Sequence, residues 1–115
     1  MLWVISCVDK KQNSANIEEL RKANSEAHNK YLNEKFEEGH LVLGGGALDL
    51  AGKTRTGSLF IVNFKTGAEA RAFADNEPFA KAGLFENITI TGVKKNRWNP
   101  DAAAGAEGRG QTVSR

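Results

Sequence analysis

Two short segments of this chain, Leu2 to Val8 and Ser58 to Phe64, carry apolar side chains on both faces of an extended backbone. In the first, Trp3 and Ile5 point one way while Leu2, Val4 and Val8 point the other, because successive side chains of a strand alternate. A strand that is apolar on both sides has to be covered on both sides. Helices of the same domain can supply one cover, and the other must come from elsewhere. An exposed apolar sheet face of that extent marks an interface. The expectation is therefore two sheets stacked face to face, as a symmetric homodimer of this chain.

The segments between these strands carry clear start and stop signals. Asn16 with Glu19 resembles a capping box, and Gly39 is a good residue to end the helix that follows. Ile17, Leu20, Ala27, Tyr31 and Phe36 fall on one side of that helix, with Glu18, Lys22, Glu26 and Lys30 on the wet side. Leu41-Val42-Leu43 reads as a short strand running into Gly44-Gly45-Gly46, and a turn-rich connection leads to the strand at Ser58. Thr66 with Glu69 makes a second capping box. Pro78 ends the helix it opens by about Glu77 and can start one more turn, closed by Gly83. Asn87 to Lys95 alternates β-branched and polar residues as a last strand.

The order is β-α-β-β-α-β, an α+β, ferredoxin-like pattern with both helices on one face of the sheet. A chain of 115 residues is one domain, spanning residues 1–98. Residues 99–115 hold mostly small and polar side chains with little to bury, and are expected to be a disordered tail.

Composition narrows the function classes. The net charge of +2 comes from interspersed signs with no basic stripe, so a nucleic-acid partner is not expected. No apolar run approaches membrane-spanning length, and the first residues lack the basic stretch and cleavage site of a signal peptide. A single cysteine, Cys7, set between apolar neighbours, fits a buried thiol in a reducing compartment. Cytoplasmic location follows as the expectation.

Three places carry candidate chemistry. His28 lies in the row Leu20, Asn24, His28, Leu32, Phe36, at the edge of the sheet-facing stripe. It reads either as a core-edge histidine satisfied by backbone or water, or as a general acid/base set by partial burial and a nearby carboxylate. Glu77 precedes Pro78-Phe79; it is either an exposed charge at a helix end or a carboxylate aimed into a cleft. Gly44-Gly45-Gly46 serves either as a site of close backbone approach or as a bend. Gly52-Lys53-Thr54 ends like a phosphate-binding loop, but Ala47 stands where the first glycine belongs and a strand follows, so that motif is rejected. Neither histidine has metal-ligand spacing to a partner, His40 is expected at the surface, and no cofactor fingerprint is present.

In order along the chain stand Leu2-Trp3-Val4-Ile5, Ala27-His28-Asn29-Lys30-Tyr31-Leu32, Glu38-Gly39-His40-Leu41, Gly44-Gly45-Gly46-Ala47, Thr56-Gly57-Ser58, Ala74-Asp75-Asn76-Glu77-Pro78-Phe79 and Ala82-Gly83-Leu84-Phe85-Glu86. Taken together these resemble the YciI-like (YCII-related) family over Met1 to about Trp98. The resemblance implies a ferredoxin-like domain that dimerises through its sheets into an α/β barrel, with an active site built on a His–Asp pair. His28 matches the family's histidine. The aspartate of the family's Asp-Pro-aromatic motif falls on Glu77, one methylene longer. A basic residue often found three positions before the histidine is Ser25 here, which weakens any expectation of anion binding. One relative is a dehydrochlorinase of a chlorinated hydroxyhydroquinone, and muconolactone isomerases share related folds.

The expected function is accordingly a cofactor-independent lyase or isomerase on a small organic, aromatic-derived substrate. His28 would move the proton and Glu77 would orient the ring and favour its charged form, while Ser58 and the backbone at Gly45 bind a substrate oxygen. The alternative is a non-catalytic ligand-binding or dimerisation module in which His28 is structural.

Overall fold

A computed structural model describes residues 1–11 and 14–106 of the chain. The elements run β1 (Leu2–Asp9), α1 (Ser14–Glu37), β2 (Leu41–Leu48), β3 (Arg55–Asn63), α2 (Gly67–Asn76), α3 (Pro78–Lys81) and β4 (Phe85–Val93), followed by a 3₁₀ turn, Pro100–Ala103. One antiparallel sheet has the order β2-β3-β1-β4. This is the expected ferredoxin-like topology, with α3 as the extra turn after Pro78. Residues 99–106 are exposed, and the expected tail beyond them, 107–115, lies outside the described residues.

Local signals account for most of the boundaries. Thr66 accepts from the Glu69 backbone N–H while the Glu69 carboxylate accepts from the Thr66 backbone, so α2 opens on a reciprocal cap. α1 ends at Gly39, whose φ of 83° is open to glycine at no steric cost. There His40 N–H donates to Lys35 O at 3.0 Å and Gly39 N–H to Phe36 O at 3.1 Å, the double bond of a left-handed helix stop.

Two expectations are corrected. α1 begins at Ser14, so Asn16 and Glu19 sit inside the helix and do not cap it. Of the two readings of the triple glycine, the bend is overturned: Gly44, Gly45 and Gly46 of β2 pair with Phe60, Leu59 and Ser58 of β3. Backbone pairing along the edge of β3 holds these residues extended despite their low strand propensity.

The core lies between the helices and one sheet face. Ile5 and Cys7 of β1 and Phe60 and Val62 of β3 are buried beneath Ile17 of α1, Ala70, Phe73 and Ala74 of α2, and Phe79 of α3. The register puts Val4 opposite Ile61 and Ser6 opposite Leu59 on the other face. Those four side chains are only half-buried and stand outside the core, and Leu43, opposite Ile61 from the β2 side, is 49% exposed. The two-sided strands thus have one side sheltered within the chain and one side open.

Candidate active site

The middle of the inward face of α1 is polar. Arg21 and His28 stand seven residues, two helical turns, apart and so share a face. Asn24 between them turns its amide back to Leu20 O at 2.9 Å. His28 is buried to 9% exposure, beneath the α2–α3 junction.

That junction exists because of Pro78. Proline disfavours helical geometry in the residue before it, and Glu77 accordingly adopts φ −65°, ψ 130° between two helical segments. Its backbone closes α2 through a bond to Ala74 O, while its own carbonyl accepts from Lys81 N–H in α3 at 3.0 Å. The side chain leaves the helical path and runs inward, ending 1% exposed. Glu77 Oε1 is hydrogen-bonded to His28 Nδ1.

Phe79, two residues on, forms the floor. Its ring stacks on the His28 imidazole with centroids 3.8 Å apart and planes within 7°, and packs edge-on to Phe85 at 6.5 Å. Bond and stack together fix the ring in position and rotation. With Glu77 ionised, and so able only to accept, Nδ1 carries the hydrogen and Nε2 keeps the lone pair of the neutral ring. Nε2 is thus the atom that can take a proton from a ligand.

Charged groups surround this pair. Asp9, at the end of β1, is ion-paired to Arg21 Nη2. Arg55 of β3 donates from Nε to Gly57 O at 3.1 Å and from Nη2 to Ser58 Oγ at 3.2 Å. Burial, and then the repulsion of Arg21, hold the Arg55 guanidinium below its usual range, against the opposing pull of Asp9, Glu18 and Glu77. Burial, then the charges of Glu77 and Asp9, push the Cys7 thiol up to about 12. Tyr31 is raised to about 12 by burial, then by Glu77 and Glu38. Groups on β1, α1 and β3 therefore all feel the charge of the Glu77 carboxylate. Cys7 is a neutral, inert thiol at physiological pH.

The structure joins His28 and Glu77 directly. Ser58, 1% exposed, belongs to the same layer through Arg55. Gly45 does not: it pairs with Leu59, whose side chain is on the open face, and nothing lies within 4 Å of where its Cβ would be. Its neighbour Gly46, opposite Ser58, is the glycine beside Arg55. His40, expected at the surface, is half-buried and stacked on Phe64 at 4.4 Å.

Sequence reasoning missed Asp9, Arg21 and Arg55. The alternation of β1, which turns Ile5 and Cys7 inward, also turns Asp9 inward, and the seven-residue spacing to His28 was the signal for Arg21.

Two surface hollows lie along α1, one lined from Glu26 to Glu38 and one around Asn16 and Ala23, and His28 and Glu77 line neither. Among the described residues no group of three or more His, Cys, Asp or Glu side chains could share a metal ion, and no helix is long and apolar enough to cross a membrane.

These features define a ferredoxin-like α+β domain with a buried, aromatic-backed histidine–carboxylate pair between its helices and sheet. The chain belongs to the YCII-related family, whose domain model matches residues 1–98. It is 32% identical over 100 residues to Protein YciI of Escherichia coli O6:H1 (strain CFT073) and of Shigella flexneri, a match spanning 83% of this chain and 98% of each relative. Among solved structures it is similar to 5-chloro-2-hydroxyhydroquinone dehydrochlorinase (TftG) from Burkholderia phenoliruptrix AC1100 in complex with 2,5-dihydroxybenzoquinone. That likeness has a TM-score of 0.67 and 30% identity, covering 82% of this chain and 94% of the other.

Proposed function

We propose that this protein is an acid/base enzyme of the lyase or isomerase type, acting on a small oxygenated, aromatic-derived substrate. The observation that carries the reading is the buried hydrogen bond from His28 Nδ1 to Glu77 Oε1, which presents Nε2 as a base. Nε2 removes a proton from a ring hydroxyl or from carbon next to a carbonyl. The electron pair released flows through the ring. In an elimination it expels a leaving group such as chloride, so that a proton and an anion are lost; in an isomerisation His28 returns the proton at another carbon. Glu77 stabilises the imidazolium formed in between and holds its orientation. Dehydrochlorination, the activity of the similar enzyme from Burkholderia phenoliruptrix, belongs to the elimination class.

A second copy of the chain covers the open sheet face of Val4, Ile61, Leu59 and Leu43. This assembly gives the two-sided strands their second cover.

The near-complete closure of the pair favours a second reading, a non-catalytic binding or dimerisation module. Chloride release from 5-chloro-2-hydroxyhydroquinone separates the two. The enzyme reading expects turnover that falls by about a hundredfold or more in His28→Ala and by about tenfold or more in Glu77→Gln. A His28→Ala protein as active as wild type, or a wild type that binds the ring without converting it, overturns it in favour of the module.

A further inference from the structure

Arg55 is an exposed residue at the start of β3, yet its side chain is held in place. Its Nε–H bonds Gly57 O and its Nη2 bonds the hydroxyl of Ser58, a buried side chain committed to holding this arginine. Regular alternation would set residues 55 and 58 on opposite faces of the strand. The pairing with β2 slips instead: Ala47 stands opposite Gly57 and Leu48 opposite Arg55, which leaves Thr56 as an extra residue. A bulge of this kind re-aims a side chain, and here it brings Arg55 to the side that carries Ser58. Gly46, opposite Ser58, keeps that path clear. A Cβ there would touch Arg55 Nε at 3.4 Å and Cζ at 3.5 Å, and a longer side chain would take the place of the guanidinium.

The two bonds within β3 use the Nε–Nη2 edge of the guanidinium. Nη1 and the second N–H of Nη2 remain at its end as a planar two-donor fork. The ion pairs among the described residues join Arg21 to Asp9 and Glu18, His28 to Glu77, Lys35 to Glu38 and Arg71 to Asp75, and none includes Arg55. The charges of Arg21, Asp9 and Glu77 nevertheless act on it, so it belongs to the border of the His28 cluster. β3 begins there beside the end of β1, where Gly57 pairs with Val8, the residue before Asp9. A fixed cation with an unpaired fork at the rim of a closed site suits the part of a ligand that takes no part in the chemistry.

We infer that Arg55 is a specificity residue of the His28 site, holding a carboxylate carried by the substrate ring on the Nη1–Nη2 end of its guanidinium. A single planar fork matches the two coplanar oxygens of a carboxylate, bonded in parallel. The substrate class narrows to hydroxylated rings that bear an ionised carboxylate, and rings without one enter as weaker substrates. The inference rests on the acid/base reading for the identity of the ligand as a substrate. The carboxylate is unchanged while His28 moves the proton. Arg55 therefore holds ground state and transition state alike, and acts on KM rather than on kcat.

The test is a calorimetric titration of wild type, Arg55→Lys and Arg55→Gln with 2,5-dihydroxybenzoate and hydroquinone, two probes that share a ring and differ by one carboxylate. Arg55 is exposed and glutamine can still bond Ser58, so both variants are expected to fold. Wild type should bind the carboxylate probe about tenfold or more tighter than hydroquinone. Arg55→Gln should lose that preference while keeping the wild-type affinity for hydroquinone, and Arg55→Lys, a charge without a fork, should retain only part of it. Equal affinities in wild type, binding of neither probe, or a preference kept in Arg55→Gln overturns the inference. So does an equal loss for both probes in Arg55→Gln, which would make the residue structural. Only binding is read, so the two readings fail separately. Unchanged turnover in His28→Ala removes the acid/base reading while the probe preference still reports on Arg55; turnover that depends on His28, in a protein without the preference, removes the inference alone.

Discussion

His28 and Glu77, 49 residues apart in the chain, meet through a buried hydrogen bond that ties α1 to the α2–α3 junction. Had α2 continued through residue 77, the carboxylate would have stayed on the inward row of Ala70, Phe73 and Ala74, approaching the core from a different angle. The extended conformation at Glu77 sets the direction from which the carboxylate meets His28. The site therefore depends on a backbone break whose cause is the next residue, Pro78.

Replacing Pro78 with alanine is expected to separate stability from function. Unfolding free energy should change modestly, by about 0.5 to 1 kcal/mol, because the substitution chiefly restores freedom to the unfolded chain. Binding of a ring ligand, or turnover, should fall by about tenfold or more as residue 77 gains access to helical geometry and the carboxylate leaves Nδ1. Urea denaturation alongside ligand titration checks both. Undiminished binding would mean that the packing of α3 alone fixes Glu77.

How much of this was legible varies with the kind of signal. The element order was readable because caps, proline and two-sided strands are local features: Thr66 with Glu69, Gly39 and Pro78 all act as read. The glycines of β2 were not readable as strand, since their extended state comes from pairing with β3. Glu77 and His28 were visible as chemistry from their residue types, but as a pair only through the family resemblance, because the tertiary fold is what brings them together. Arg21 and Asp9 were hidden by the habit of assigning charges on an amphipathic helix or at a strand end to solvent; their burial is set by mutual pairing.

Gly57 should be among the least replaceable residues in the sheet. A Cβ built there meets the Cys7 carbonyl oxygen at 1.8 Å and Val8 Cα at 3.2 Å, both backbone atoms that cannot rotate away. Gly57→Ala must push β1 and β3 apart at the edge of the site, at a cost of about 3 kcal/mol or more. Gly45→Ala, with nothing within 4 Å, should stay within about 0.5 kcal/mol of wild type. Urea midpoints of the two variants measure the contrast; equal losses would point to a general intolerance of side chains in the β2–β3 hairpin.

The open sheet face predicts an assembly that one charge can undo. Ile61, half-buried beside Val4 in the sheet register, is a central position on that face. Light scattering at micromolar concentration should give the mass of two chains for wild type and of one for Ile61→Glu, since a carboxylate buried between apolar sheets lacks a partner. A monomeric wild type would remove the stacked-sheet assembly. An Ile61→Glu dimer would move the interface to another surface.

Alkaline pH should destabilise the fold through two buried acids. Cys7 is raised from 9.0 to about 12 and Tyr31 from 10.0 to about 12, both first by burial and then by the charge of Glu77. In each case the folded state favours the neutral form. In the unfolded chain the protons leave around pH 9 to 10, and in the folded protein only near 12. Between those limits the folded state binds more protons, so stability falls as pH rises. The contribution is complete below pH 9 and lost progressively as pH approaches 12. Tyr31 also donates to Phe73 O at 2.9 Å, a bond its ionised form cannot make. Urea unfolding across this range should show the declining limb in wild type and a flatter one in Cys7→Ala/Tyr31→Phe, from a lower starting value because packing and that hydrogen bond are lost. The Cys7 thiol should resist a disulfide-exchange reagent at about pH 8 until denaturant is added. A limb of unchanged slope in the double variant would assign the alkaline loss to other groups.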